Sequence, residues 1–172
     1  MVAVSYFGPV RRSYENVRIA TSREPRLSRE QRMQEFVDAA WDALSHTGVS
    51  WVGFYLLSDE ENLTLGPRRD KPACSPIGLH GACGRAARSG RPLIVRDVAA
   101  LGAGYIACDP RDRSELVLPL TEPGGRVWGV LDVDSYDLGA FDAQDALDMQ
   151  RLLTCAGLTA ARLAAPDCEI IG

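Results

Sequence analysis

At 172 residues the chain has the length of one domain, and 46% hydrophobic with 24% charged residues is the composition of a folded globular protein. A net charge of −4 argues against the clustered basic face that nucleic acid requires, and the Arg11–Arg12 pair is too small to supply one. No apolar run approaches the roughly 20 residues that cross a bilayer, and the N-terminal charges follow the apolar stretch, the reverse of a signal peptide, so the cytosol is the expected location, with neither nucleic acid nor membrane as partner.

Residues 1–24 show no periodicity and read as an irregular arm, poorly ordered or docked. Residues 25–165 read as a single domain and 166–172 as a frayed C-terminal tail. Ser28 with Gln31 three positions on is a capping-box pattern. Met33, Phe36, Val37, Ala40, Trp41 and Leu44 then follow helical spacing, and Gly48 is the stop signal. Trp51–Leu57 reads as a strand and Asn62–Leu65 as a short second one. Pro72–Ile77 is a weaker strand candidate, since its prolines confine it to an edge or a loop. Gly81–Ser89 is a short helix ended by Gly90, and Leu93–Val95 a short strand. A loop leads to Cys108 and to the Asp109-Pro110 turn. Glu115–Leu120 and Val127–Asp134 flank Glu122-Pro-Gly-Gly125 as a hairpin. Asp142 caps a last helix with the stripe Ala146, Met149, Leu153, Ala156, Ala160, Leu163. A helix at each end of an antiparallel sheet is an α+β layout.

Five cysteines are present: Cys74, Cys83, Cys108, Cys155 and Cys168. An odd number in a cytosolic-looking chain is no disulfide framework. There is no Cys-x-x-Cys, and His46 and His80 lack ligand-spaced partners, which leaves buried thiols or redox chemistry in place of structural zinc. Cys108 lies in a Gly- and Pro-bounded loop, open to two readings, an inert thiol or a reactive one. Cys74 and Cys83 also lie near loops. Cys155 flanks the last helix's core stripe and reads as packing, and Cys168 carries no role.

A hairpin turn centred on Pro123–Gly124 would pair Glu115 with Asp132. Asp134 would then lie two residues further along the same face, with Trp128 and Val130. Like charges directly opposed cost stability, and Asp is depleted in strands. One reading is a solvated acidic stripe or a pair satisfied by Arg. The other is partial burial relieved by a cationic ligand or a retained proton. Trp51 and Tyr55, four apart on one strand, are core or pocket wall.

Eight segments, in order and in register, carry a resemblance. They are Trp51-Val-Gly-Phe-Tyr-Leu, Leu65-Gly-Pro, Lys71-Pro-Ala-Cys74, Gly81-Ala-Cys-Gly84, Asp97-Val, Ile106-Ala-Cys-Asp109, Ser114-Glu-Leu-Val-Leu-Pro and Gly129-Val-Leu-Asp-Val-Asp-Ser135. Over about residues 50–155 the chain resembles the free methionine-(R)-sulfoxide reductases of the GAF superfamily. The resemblance implies a six-stranded antiparallel sheet with N- and C-terminal helices on one face. Short helices and loops would cover a pocket on the other, in a homodimer. It implies that Cys108 is the catalytic cysteine, Cys74 the resolving one and Cys83 an auxiliary one. Glu115, Asp132 and Asp134 would bind substrate, with Trp51 and Tyr55 as an aromatic wall. Thioredoxin or a similar dithiol would restore the thiols, with no metal or organic cofactor. Departures from the family pattern are Tyr105 in place of the usual His, an Ile77–Gly81 segment one residue short, and the more charged Arg68-Arg-Asp. The rival expectation is a non-catalytic GAF module that binds a small ligand or senses redox state.

Overall fold

The computed structural model describes residues 12–15, 17, 27–102, 105, 108–160 and 167–172. Most of the N-terminal arm lies outside the described residues. Its described part docks. Arg12 is buried, sits 4.7 Å over the Phe141 ring and donates to Ala140 and Thr47 carbonyls. Tyr14 donates its hydroxyl to Asp145 at 2.8 Å.

The first helix, α1, spans Arg29–Leu44 and begins with the expected capping box, Ser28 Oγ accepting from Gln31 N and Gln31 Oε1 from Ser28 N. Its apolar stripe, Met33, Phe36, Val37, Ala40 and Leu44, is buried. Seven strands follow: β1 (Val49–Leu57), β2 (Asn62–Arg69), β3 (Ile77–Gly78), β4 (Leu93–Val95), β5 (Ser114–Thr121), β6 (Val127–Ser135) and β7 (Glu169–Ile171). Helix α2 (Ala82–Ser89) lies between β3 and β4, and α3 (Ala143–Cys155) follows β6. The sheet order is β3-β2-β1-β6-β5-β4-β7.

The sheet therefore has one strand more than the six expected. β1 to β6 pair antiparallel, but β7 pairs with β4 in parallel, Leu93 opposite Glu169 and Val95 opposite Ile171. The segment read as a frayed tail covers what would otherwise be an open edge of β4. Of Pro72–Ile77, only Ile77 is in a strand. The last helix stops at Cys155, because Gly157 takes a positive φ of 68° and turns the chain. Ala160 is exposed beyond it, and Leu163 lies outside the described residues.

Two cores sandwich the sheet. On the helix face, Phe36 and Val37 of α1 and Met149 and Leu153 of α3 pack on Phe54, Leu118, Leu131 and Val133. The other face carries a smaller core of Trp51, Tyr55, Val117 and Val130 under Ala82, Cys83 and Ala86 of α2. Gly84 brings α2 against the chain before it; a Cβ there would stand 2.2 Å from the Leu79 backbone. Phe54 is fully buried and meets Phe36 edge-on at 5.8 Å. Phe54→Ala is expected to cost about 3–5 kcal/mol in urea unfolding, since the rigid sheet cannot collapse into the space.

The hairpin differs from the expected register. Glu115 is opposite Asp134, and Asp132 is opposite Val117. A bulge between Leu120 and Thr121 inserts Trp128 as an extra residue, so its ring joins the helix-face core, 4.4 Å under the Arg29 guanidinium, and not the face of Val130. The slip is two residues, the full side-chain period of a strand, so Glu115, Asp132 and Asp134 still share one face.

Candidate active site

The face opposite α1 and α3 holds a cavity of about 320 Å³. The eight residues singled out from the sequence, Cys74, Cys83, Cys108, Trp51, Tyr55, Glu115, Asp132 and Asp134, all line it. β1 supplies the aromatic pair, β5 and β6 the carboxyls, and α2 the Cys83 thiol. The loops after β2 and before β5 bring Cys74 and Cys108.

Trp51 and Tyr55 form one wall, ring centroids 6.0 Å apart and tilted 35°. Each also spends its polar atom on the Cys74 loop. Trp51 Nε1 donates to the Lys71 carbonyl at 2.9 Å, and the Tyr55 hydroxyl to the Cys74 carbonyl at 2.9 Å. The wall therefore anchors the segment that bears Cys74. Cys74 in turn donates its backbone N–H to Cys108 Sγ at 3.3 Å. Both cysteines are exposed, so Cys108 is not a buried thiol. The sulfur is partly desolvated against the Cys74 segment. That burial, with the Cys74 thiol next, pushes the Cys108 thiol up to about 11, against the help of the Cys74 N–H. Cys155, expected in packing, is exposed at the end of α3, and Cys168 is half-buried.

Glu115 and Asp132 are buried, with 3% and 6% of their surface exposed. Burial, then Asp132, holds the Glu115 carboxyl well above the usual range. Burial pushes Asp132 up to about 7 and raises Asp134 well above its ordinary value, with Asp132 and Glu115 adding to the latter. Cys83 Sγ donates to Asp132 Oδ2 at 3.3 Å, and burial beside that carboxylate keeps its thiol protonated. Asp132 Oδ1 is buried without a hydrogen-bond partner among the described residues. Asp132 and Glu115 face one another as a hydrogen-bonded acid pair. Cys83 Sγ and one oxygen each of Glu115 and Asp132 lie within 4.8 Å of one another, close enough to hold a cation. Burial favours the protonated thiol and carboxyls there, and the group reads as a proton-sharing cluster.

Residues that the sequence reading left without a role complete the rim. Asp109 takes Arg111 through two hydrogen bonds, at 3.0 and 2.7 Å, and Lys71 at 2.5 Å. Arg111 and then Lys71 hold its carboxyl well below the usual range. Lys71 and Arg111 also stack on Tyr136, at 4.9 and 4.8 Å. Asp112, buried, accepts from Ser50 Oγ at 2.6 Å. Tyr105 donates its hydroxyl to Glu115 Oε2 at 3.1 Å. The available signal was the density of Asp and Arg around the Asp109-Pro110 turn, which a local reading assigns to a solvated loop.

A curled sheet carrying helices on one face and a covered small-molecule pocket on the other is the architecture of GAF domains, and the GAF-domain family model matches residues 28–154. The chain belongs to the GAF-domain family and, within it, to the group that contains the free methionine-R-sulfoxide reductases. It is 39% identical to the free methionine-R-sulfoxide reductase of Saccharomyces cerevisiae over 60% of this chain and 59% of that one. It is 40% identical to the Escherichia coli protein of the same name over 62% of this chain and 64% of that one. The match thus spans about three fifths of these curated relatives, by the shares of 59% and 64%. The X-ray structure of free methionine-R-sulfoxide reductase from Neisseria meningitidis, in complex with its substrate, superposes with a TM-score of 0.68 at 36% identity, covering 75% of each chain. Among the described residues no helix is long and apolar enough to cross a membrane.

Proposed function

We propose that this protein reduces free methionine-(R)-sulfoxide to methionine with its own thiols. One observation carries the reading. A single small cavity holds two adjacent, exposed cysteines and three carboxyls raised above their ordinary pKa.

A sulfoxide sulfur is electrophilic, but its oxygen is a poor leaving group until protonated. The Glu115–Asp132 pair holds a proton at neutral pH and supplies it to that oxygen. Cys108 sulfur attacks the substrate sulfur, and the protonated oxygen passes from that sulfur to Cys108 as the transient S–S bond breaks, leaving a sulfenic acid on Cys108 and releasing the thioether. Cys108 is oxidised, the sulfoxide is reduced to the thioether, and the thiol's own proton restores the carboxyl pair. Cys74 thiol then attacks the Cys108 sulfenic acid, water leaves and a disulfide forms. An external dithiol of the thioredoxin class reduces it by exchange. The S-methyl group packs on Trp51 and Tyr55. The substrate ammonium takes the remaining carboxylate charge, which a methionine sulfoxide inside a peptide cannot do because it lacks that ammonium. Cys83 serves as a hydrogen-bond donor to Asp132 and an auxiliary thiol. The thioredoxin and homodimer parts of this reading rest on the family resemblance, and the cytosolic location on the sequence reading.

The test supplies thioredoxin, thioredoxin reductase and NADPH and follows NADPH loss with each epimer of free methionine sulfoxide. Turnover of the R epimer and not the S epimer is the expected result. Tight binding of an amino acid without turnover would assign the chain to the ligand-sensing GAF modules instead.

A further inference from the structure

Glu115 has two oxygens and only one is free for chemistry. Oε2 accepts the Tyr105 hydroxyl at 3.1 Å. Among the described residues, the other groups that act on this carboxyl are acids and a thiol: Asp132 and Asp134 on β6, Asp112 in the preceding loop, and Cys83 on α2. On the β4 side its cross-strand neighbour is Val95, which is apolar and buried. Tyr105 is thus a neutral donor to Glu115 that keeps its proton, as Cys83 is to Asp132. Burial, and then Glu115, Asp134 and Asp132, hold that proton on well above the ordinary range of a phenol. A carboxylic acid whose one oxygen accepts such a hydrogen bond keeps its own proton on the other.

We propose that Tyr105 is a positioning residue: by donating to Oε2 of Glu115 it places the acid proton on Oε1, the oxygen left for Asp132 and for the sulfoxide. This rests on the reductase reading and extends it. It turns the Glu115 proton toward Asp132, the acid with which Glu115 is hydrogen-bonded. It also moderates the acid, because the Tyr105 bond is an interaction that favours ionised Glu115 against burial and Asp132.

Two readouts test it in Tyr105→Phe, which removes one oxygen and keeps the ring. The first is the infrared carbonyl band of a protonated carboxyl at pH 7, assigned to Glu115 by its loss in Glu115→Gln. With the donor gone the Glu115 C=O stretch should move to higher frequency; a band unmoved in folded Tyr105→Phe protein would overturn the proposal. The second is the alkaline limb of the kcat/KM profile. Loss of a donor to the carboxylate should carry that limb up by about one pH unit. kcat should fall while KM changes by less than about threefold. A side chain that only fills space would leave the limb in place, and that result would also overturn the proposal. Were the wild type to show no turnover at all, the reductase reading would fall, and the infrared band would still decide the role of Tyr105.

Discussion

Cys108→Ser is expected to abolish sulfoxide reduction, with a loss on the order of 10³-fold or more in kcat. The physical case is that the chemistry needs a sulfur that can accept oxygen and then surrender it. A serine hydroxyl is a weak nucleophile toward sulfur and has no sulfenic counterpart. The substitution should not disturb folding, since Cys108 is exposed and a serine hydroxyl can accept the Cys74 N–H that its sulfur accepts at 3.3 Å. Cys74→Ser makes the informative contrast. There Cys108 is intact, so one equivalent of methionine should form in a burst. Recycling through thioredoxin should then stall, with Cys108 trapped as a sulfenic acid that reacts with a dimedone probe. Equal steady-state rates for Cys108→Ser and wild type would remove the mechanism.

Glu115→Gln is expected to lower kcat by roughly 10²–10⁴-fold, the usual worth of a general acid. The same change should stabilise the fold. Glu115 holds its proton more tightly folded than unfolded, because burial and then Asp132 disfavour its charge. Between its unfolded pKa near 4.5 and its raised folded value, the native state therefore binds more protons than the unfolded chain. Stability contributed below that range is lost as pH rises through it. Glutamine carries no such penalty. The variant should be more stable than wild type at pH 8, read as a higher Tm. The difference should close toward pH 4. Wild-type activity should decline in parallel as pH climbs past about 7, where Asp132 and its partner give up their shared proton. Thermal melts at the two pH values and a rate–pH profile check both halves. A variant that is as active as wild type, or less stable at pH 8, would show that Glu115 is an ordinary ion-paired carboxylate.

Local chemistry accounts for what was legible. The capping box at Ser28, the cap at Asp142 and the buried stripe of α1 depend on residues two to four apart, so they appear in the sequence as they do in space. The limits of β4 and the glycine stop of α2 follow from propensity in the same way. The convergence of Glu115, Asp132 and Asp134 was also legible, because alternation along a strand survives any slip by an even number of residues. The roles of the three cysteines were not. Nothing in residues 74, 83 and 108 taken locally relates them, and the family pattern alone suggested the link.

Tertiary structure decided the rest, for reasons of packing and edges. The bulge that sends Trp128 to the helix face depends on what that face has room for beneath Arg29. The seventh strand exists because β4 has a free edge, a property of the assembled sheet and not of Glu169–Ile171. The Asp109 clamp joins residues on both sides of the pocket mouth, Lys71 from one loop and Arg111 from another. The raised carboxyls are the clearest case. Sequence placed three acids on one face, but only the cover of α2 and the two loops buries Glu115 and Asp132 and leaves Asp134 half-buried, and burial is the largest cause of every shift among them. Composition and periodicity set which side chains share a surface. Long-range packing sets the dielectric around them, and with it their chemistry.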